Sequence, residues 1–98
     1  MTEKYNGYYI VRCKDAGVFA GNIVSREGDE VRMTDARRIW HWEGAASLSQ
    51  LAVDGTSRPR YCQFPAPLED LLLLGVIEII RCTDKAEQSI REVPVWIA

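Results

Sequence analysis

The sequence predicts an α+β domain, a small antiparallel sheet of about four to five strands carrying two short helices. Three observations lead there. Runs of aromatic and β-branched residues end at glycine and aspartate turns, and two other stretches carry helix-capping residues. No segment is long enough for the crossover helices that a parallel sheet needs. With 98 residues, 47% of them apolar, the chain fits a single domain over residues 1–98 that buries roughly two-thirds of its unfolded surface.

Tyr8 to Cys13 reads as the first strand, bounded by Asn6-Gly7 before it and Asp15 to Gly17 after it. Val18 to Val24 is the second, and Gly28 supplies the positive φ of a tight connection into a third, Glu30 to Trp42, that returns antiparallel. Gly21, in mid-strand, marks a bulge or a place where another group packs closely on the backbone. A short helix begins near Ser47: Ser47 and Gln50 have capping-box spacing, and Gly55 suits the left-handed position past the end. Thr56 to Arg60 is a polar turn and Tyr61 to Phe64 a short extended piece, followed by a break at Pro65 to Pro67. Leu68 to Leu74 reads equally as a helical turn or a buried strand, whereas Val76 to Cys82 is a clear strand. Thr83 or Asp84 caps a last helix reaching about Arg91, and the apolar tail Val93 to Ala98 is expected to dock.

Charge and cysteine usage narrow the function classes. The net charge of −2 gives the whole molecule no reason to attract long nucleic acids. Cys13, Cys62 and Cys82 are odd in number and widely spaced, unlike a disulfide framework or the close pairs of a zinc site. They read as reduced cysteines of a cytoplasmic protein, with no metal or cofactor expected. Met1-Thr2-Glu3-Lys4 lacks an apolar signal region, and Leu71 to Ile77 is far short of the ~20 residues of a membrane span, so no membrane association is expected.

The segment Ala36 to Gln50 stands apart, with two of the three tryptophans and the only histidine. Between Arg32 and Arg60, five arginines face Asp35, Glu43 and Asp54, a local +2 that leaves −4 on the remainder. In a continuous strand Arg38, Trp40 and Trp42 share one face, and Arg37, Ile39 and His41 the other. Guanidinium beside indole suits a planar anion, through a donor fork for phosphate and a stacking face for a base. Gly44 and Ala45 would let a ligand approach the backbone, and Ser47 and Ser49 open a helix whose free amides face an anion. Arg58 and Arg60 flank Pro59 in a turn from which they would reach an anion near the helix start, with a solvated loop as the competing reading. The candidate ligand-binding set is therefore Arg37, Arg38, Trp40, His41, Trp42, Gly44, Ala45, Ser47, Ser49 and Arg58. A structural reading competes: Ser47 and Gln50 cap the helix, the alanines pack and the tryptophans belong to the core. Neither a Walker loop nor a dinucleotide fingerprint is present. The serines lack a nucleophile-elbow context, and a lone His41 needs partners to act as a base, so no catalytic residue is expected.

The runs Gly17 to Gly21, Ala36 to Ala52, and Glu78 to Thr83 continuing through Val93 to Trp96 resemble a family of short uncharacterised proteins encoded by tailed phages and prophages. The resemblance covers nearly the whole chain and implies an accessory protein acting in a host bacterial cytoplasm. It brings no catalytic residues to carry over. By size and class alone, small phage proteins that sequester nucleotide immune signals as oligomers are an analogy. The expectation is a non-enzymatic protein binding a small phosphate-bearing ligand, such as a nucleotide signal of bacterial immunity, as a homo-oligomer. The alternative is a protein-interaction or phage structural module that uses the apolar tail and Leu71 to Leu74.

Overall fold

A computed structural model describes residues 4–97; the leader reading placed on Met1, Thr2 and Glu3 and the last tail residue, Ala98, lie outside the described residues. The elements follow the order β1 (Tyr8–Cys13), β2 (Gly17–Glu27), β3 (Glu30–Arg38), α1 (Leu48–Asp54), a 3-10 turn (Pro59–Tyr61), β4 (Leu71–Leu73), β5 (Val76–Arg81) and α2 (Asp84–Glu92). The five strands form one antiparallel sheet in the order β4-β3-β2-β1-β5, the α+β architecture expected.

β4 and β5 occupy opposite edges of this sheet although only Leu74 and Gly75 separate them. Four strand spacings of about 4.8 Å make a flat sheet ~19 Å across, but the three residue steps from Leu73 to Val76 reach at most about 11 Å. The sheet therefore coils until its edges approach at one end. There the Val76 amide donates to the Asp29 carbonyl at 3.0 Å, and the Lys14 amide to the Gly75 carbonyl at 2.9 Å.

Coiling gives the sheet two apolar faces. Tyr9, Val11, Phe19, Ile23, Val31, Met33 and Leu73 cluster with no helical residue among them, filling the concave side. Tyr8, Ile10, Ala20 and Ile39 pack on the other side against Leu51 and Ala52 of α1 and Ala86 and Ile90 of α2. This explains why β1 is buried at five of its six positions instead of alternating.

Gly21 does mark a bulge. The β2–β3 register steps from Ala20↔Arg37 to Asn22↔Thr34, so Gly21 faces both Asp35 and Ala36. A Cβ on Gly21 would lie 2.8 Å from the Ala36 Cα, and Asp35 itself takes a left-handed φ of 52°. The extra residue reverses the alternation of β3. Before it, Val31 and Met33 point into the concave core; after it, Ala36 does, and Ile39 joins the helix-facing core.

The α1 cap forms as read: the Ser47 hydroxyl accepts from the Gln50 amide at 3.2 Å, and Gly55 ends the helix with φ 76°. The Gln50 side chain reaches one residue further back than a capping box requires, accepting from the Ala46 amide at 2.7 Å. Thr83 caps α2 by accepting from the Ala86 amide at 3.0 Å. Leu71–Leu73 is a strand, which settles the ambiguous stretch, and the tail docks by its backbone, Val95 bridging Phe64 and the Trp96 amide donating to the Phe64 carbonyl at 3.0 Å. Among the described residues no helix is long and apolar enough to cross a membrane.

Candidate functional site

The third strand stops at Arg38, four residues short of its expected end, and the candidate set divides at that point. Arg37 turns inward and is only 3% exposed. Its guanidinium donates to four carbonyls: Phe64 at 2.7 Å, Val93 at 2.8 Å, Ile90 at 2.9 Å and Pro65 at 3.0 Å. The Ile90 and Val93 carbonyls are the negative end of α2, a favourable place for a cation. Burial lowers the Arg37 pKa from its ordinary value, opposed by the phenol of Tyr8 and then by Asp35. The side chain's donors are committed inside the fold, so the structure places Arg37 apart from any surface ligand.

Arg38 lies on the opposite side, stacked 4.4 Å from the centre of the Phe19 ring and donating to the Ala16 carbonyl at 2.8 Å. The shared face expected for Arg38, Trp40 and Trp42 is not formed. Trp42 packs against the helix-facing core and its indole donates to the Ala45 carbonyl at 3.2 Å, whereas Trp40 is 65% exposed.

Residues 40–44 wrap around a second segment, 56–63. The Trp40 and His41 amides donate to the Gln63 carbonyl, and the Gln63 amide returns to the His41 carbonyl at 2.8 Å. The Glu43 carboxylate sits between two side chains, Oε1 at 3.2 Å from Arg58 and Oε2 at 3.2 Å from His41 Nε2. The Glu43 carbonyl accepts from the Thr56 hydroxyl. Gly44, at φ 84°, accepts from the Ser57 amide at 3.2 Å, and a Cβ there would lie 2.5 Å from the Arg58 nitrogen. The close backbone approach expected of a ligand is thus made by the chain itself. Ala45 is half-buried in the same packing.

At the opening of α1, Ser47 is used as the cap and Ser49 is exposed on the first turn. Seven residues and a satisfied cap leave little of the helix-end donor set assumed for an anion.

One exposed grouping remains. Arg58 lies 4.2 Å from the centre of the Tyr61 ring, Tyr61 is 56% exposed, and Arg60 stands between them in sequence. The surface hollow they form with Ser57 and Pro59 has a volume of about 280 Å3. Tyr61 and Glu43 are not among the candidate residues, and Arg60 enters the sequence reading only beside Arg58 in the turn. The signal was present, because Arg58-Pro59-Arg60-Tyr61 repeats the mixture of arginine and aromatic that singled out residues 37–42, but a proline turn reads first as solvated loop.

The three cysteines are free and buried. Cys62 sits under the 43–58 contact, its Sγ 3.6 Å from the Thr56 hydroxyl and from the Arg58 carbonyl. Burial, with a smaller contribution from Glu87, pushes the Cys82 thiol up to about 12. No group of three or more His, Cys, Asp or Glu side chains among the described residues is placed to hold a metal ion.

The fold and this surface define a small α+β domain with an exposed arginine–tyrosine stack held on a loop. The chain belongs to the DUF6948 family, a domain of unknown function, whose profile matches residues 6–90. No curated protein and no solved structure matches it.

Proposed function

We propose that the protein is a non-enzymatic binding domain for a small, planar, phosphate-bearing ligand of the nucleotide class, bound at the surface of Arg58, Arg60 and Tyr61, with His41 linked to Arg58 through Glu43. The observation that carries this is the stack of the Arg58 guanidinium on the exposed Tyr61 ring, with Arg60 lacking any side-chain hydrogen-bond or ion-pair partner among the described residues. A stacked guanidinium and phenol give a planar base a surface to lie on, and free donors suit phosphate oxygens. Glu43 serves as a positioning group, holding Arg58 and His41 from behind. With the resemblance to phage-encoded proteins, the reading becomes sequestration of a nucleotide signal in a bacterial cytoplasm, without cleavage.

Calorimetry against cyclic and linear nucleotides tests this, using the wild-type chain with Arg58→Ala and Tyr61→Ala. The expected result is binding by the wild type that either variant weakens by at least tenfold, about 1.4 kcal/mol. Binding that both variants leave unchanged overturns the reading.

A second reading is supported by the tail. Val95 and Trp96 are exposed and Ile97 is 81% exposed, although the backbone is docked, so their apolar surface is open to a second copy of the chain. Sedimentation equilibrium of the wild type and of Ile97→Asp checks it. Self-association lost in the variant supports the tail contact, and a wild-type monomer at tens of micromolar removes it.

A further inference from the structure

We propose that Arg60 and Lys85 form a phosphate subsite in the groove between the Pro59–Tyr61 turn and α2, so that the ligand of the Arg58–Tyr61 surface carries two or more phosphates. The planar part of that ligand rests on the reading above. The phosphate part stands on its own geometry.

Two hollows lie on either side of one turn. The first is the arginine–tyrosine hollow of about 280 Å3, and the second is a groove of about 420 Å3 lined by Thr56, Arg60, Lys85, Gln88, Ser89 and Glu92. Pro59 and Arg60 belong to both. Each hollow is at or near the small end of the ~300–1,000 Å3 usual for ligand pockets, and the pair falls within that range. A ligand that spans the turn would place its planar part against Tyr61 and its charged part beyond Arg60.

The charged side chains of the groove are Arg60 and Lys85 against one carboxylate, Glu92, a net of +1. Arg60 has no side-chain polar partner among the described residues. Among the described residues the only partner of Lys85 is Asp54, at 3.9 Å, beyond hydrogen-bond distance. The opposing carboxylate, Glu92, accepts from the Gln88 amide nitrogen at 3.1 Å and is directed along its own helix. Two cations in hydrogen-bond want, one a planar fork and one a point charge, match successive phosphate groups.

The spacing between these cations is set by contacts that do not involve them. The Thr56 amide donates to the Ser89 hydroxyl at 3.0 Å, and a Cβ on Gly55 would lie 2.3 Å from the Ser89 Cβ, so the loop and α2 touch with no room to spare. At the start of α2, the Thr83 hydroxyl donates to the Val53 carbonyl at 2.6 Å and its amide to the Ala52 carbonyl at 2.9 Å. The turn carrying Arg60 and the helix carrying Lys85 are therefore registered through α1. Such preorganisation reduces the ordering cost of binding.

Inorganic pyrophosphate is the probe for the groove, followed by amide NMR on the full chain at low salt; AMP and ADP are compared by calorimetry. Pyrophosphate is expected to shift the Arg60, Lys85 and Ser89 amides, and ADP to bind about tenfold more tightly than AMP. Both effects are expected to vanish in Arg60→Gln/Lys85→Gln. These residues are exposed, so the variant keeps its fold, which its amide spectrum reports. Millimolar pyrophosphate that leaves those amides unmoved, or an ADP preference that survives the double substitution, overturns the subsite. Pyrophosphate binding that persists in Tyr61→Ala while AMP is ignored by both proteins leaves the subsite standing and removes the planar surface. AMP binding lost in Tyr61→Ala without any pyrophosphate effect does the reverse.

Discussion

Replacing Arg37 with methionine separates the two roles that its position suggests. The side chain is 3% exposed and donates to four carbonyls, so methionine preserves much of its volume and removes all four bonds. Two of the carbonyls keep a partner, Ile90 accepting from the Val93 amide at 3.3 Å and Phe64 from the Trp96 amide at 3.0 Å. Those of Pro65 and Val93 have none besides Arg37 among the described residues. A buried polar group left without a partner costs about 1–3 kcal/mol, so the two together give about 2–6 kcal/mol. Relief of the desolvated charge offsets part of this, and the expected net loss is about 3 kcal/mol. For a domain of this size that lowers Tm by roughly 12–24 °C, a large share of an ordinary stability of about 5–15 kcal/mol. Urea unfolding followed by tryptophan fluorescence measures it. A variant within about 0.5 kcal/mol of wild type, the range of a neutral surface change, would refute the reasoning by showing that charge burial cancels the four bonds. Under conditions where the variant is folded, its loss of nucleotide affinity should be smaller than that of Arg58→Ala, because Arg37 acts on the ligand only by ordering the 56–65 loop.

The surface residues should behave in the opposite way: Arg58→Ala and Tyr61→Ala are expected to change unfolding free energy by at most about 1 kcal/mol, the worth of an exposed ion pair or stack, while removing binding. Gly44→Ala combines a strained φ of 84° with a Cβ 2.5 Å from the Arg58 nitrogen, and should cost about 2 kcal/mol or more in urea unfolding and weaken ligand binding with it. Gly21→Ala, at the bulge, should cost about 1–3 kcal/mol and leave binding intact. The Cys82 thiol, raised from 9.0 to about 12 by burial, favours the protonated form in the fold; its contribution is complete below pH 9 and is lost as pH rises from there toward 12. Tyr8, also raised by burial, acts in the same direction above pH 10, so the urea midpoint should fall steadily on the alkaline side and less so in Cys82→Ala.

The strands, helices and caps were legible because each has a local cause. Tyr8 to Cys13 is a strand by residue type, Ser47 and Gly55 bracket α1 by hydrogen bonding and φ, and Thr83 caps α2. Gly21 was legible as a bulge, but its consequence was not, because nothing in the sequence around Asp35 announces that β3 reverses its alternation there. That reversal, with the end of the strand at Arg38, divides the arginine and tryptophan pairs that period two had placed together. The coiling of the sheet was hidden for a different reason. It follows from the pairing of β4 with β3 and of β5 with β1, two long-range choices that the short Leu74-Gly75 link only makes consequential.

The segment from Arg37 to Gly44 nevertheless does act on one place. Arg37 holds the carbonyls of Phe64 and Pro65, Trp40 and His41 bond Gln63, Glu43 bonds Thr56 and Arg58, and Gly44 receives the Ser57 amide. Every one of these partners lies between residues 56 and 65, on either side of the turn that presents Arg58, Arg60 and Tyr61. A loop of that length, with only one 3-10 turn of its own, would otherwise sample many conformations, and a ligand would have to order it on binding. Three features of the segment serve this positioning: a buried guanidinium that gathers carbonyls at one end, a carboxylate that holds an arginine at the other, and a glycine where the loop touches. Binding energy at the surface is then available to the ligand because residues 37–44 have already ordered the side chains that would meet it.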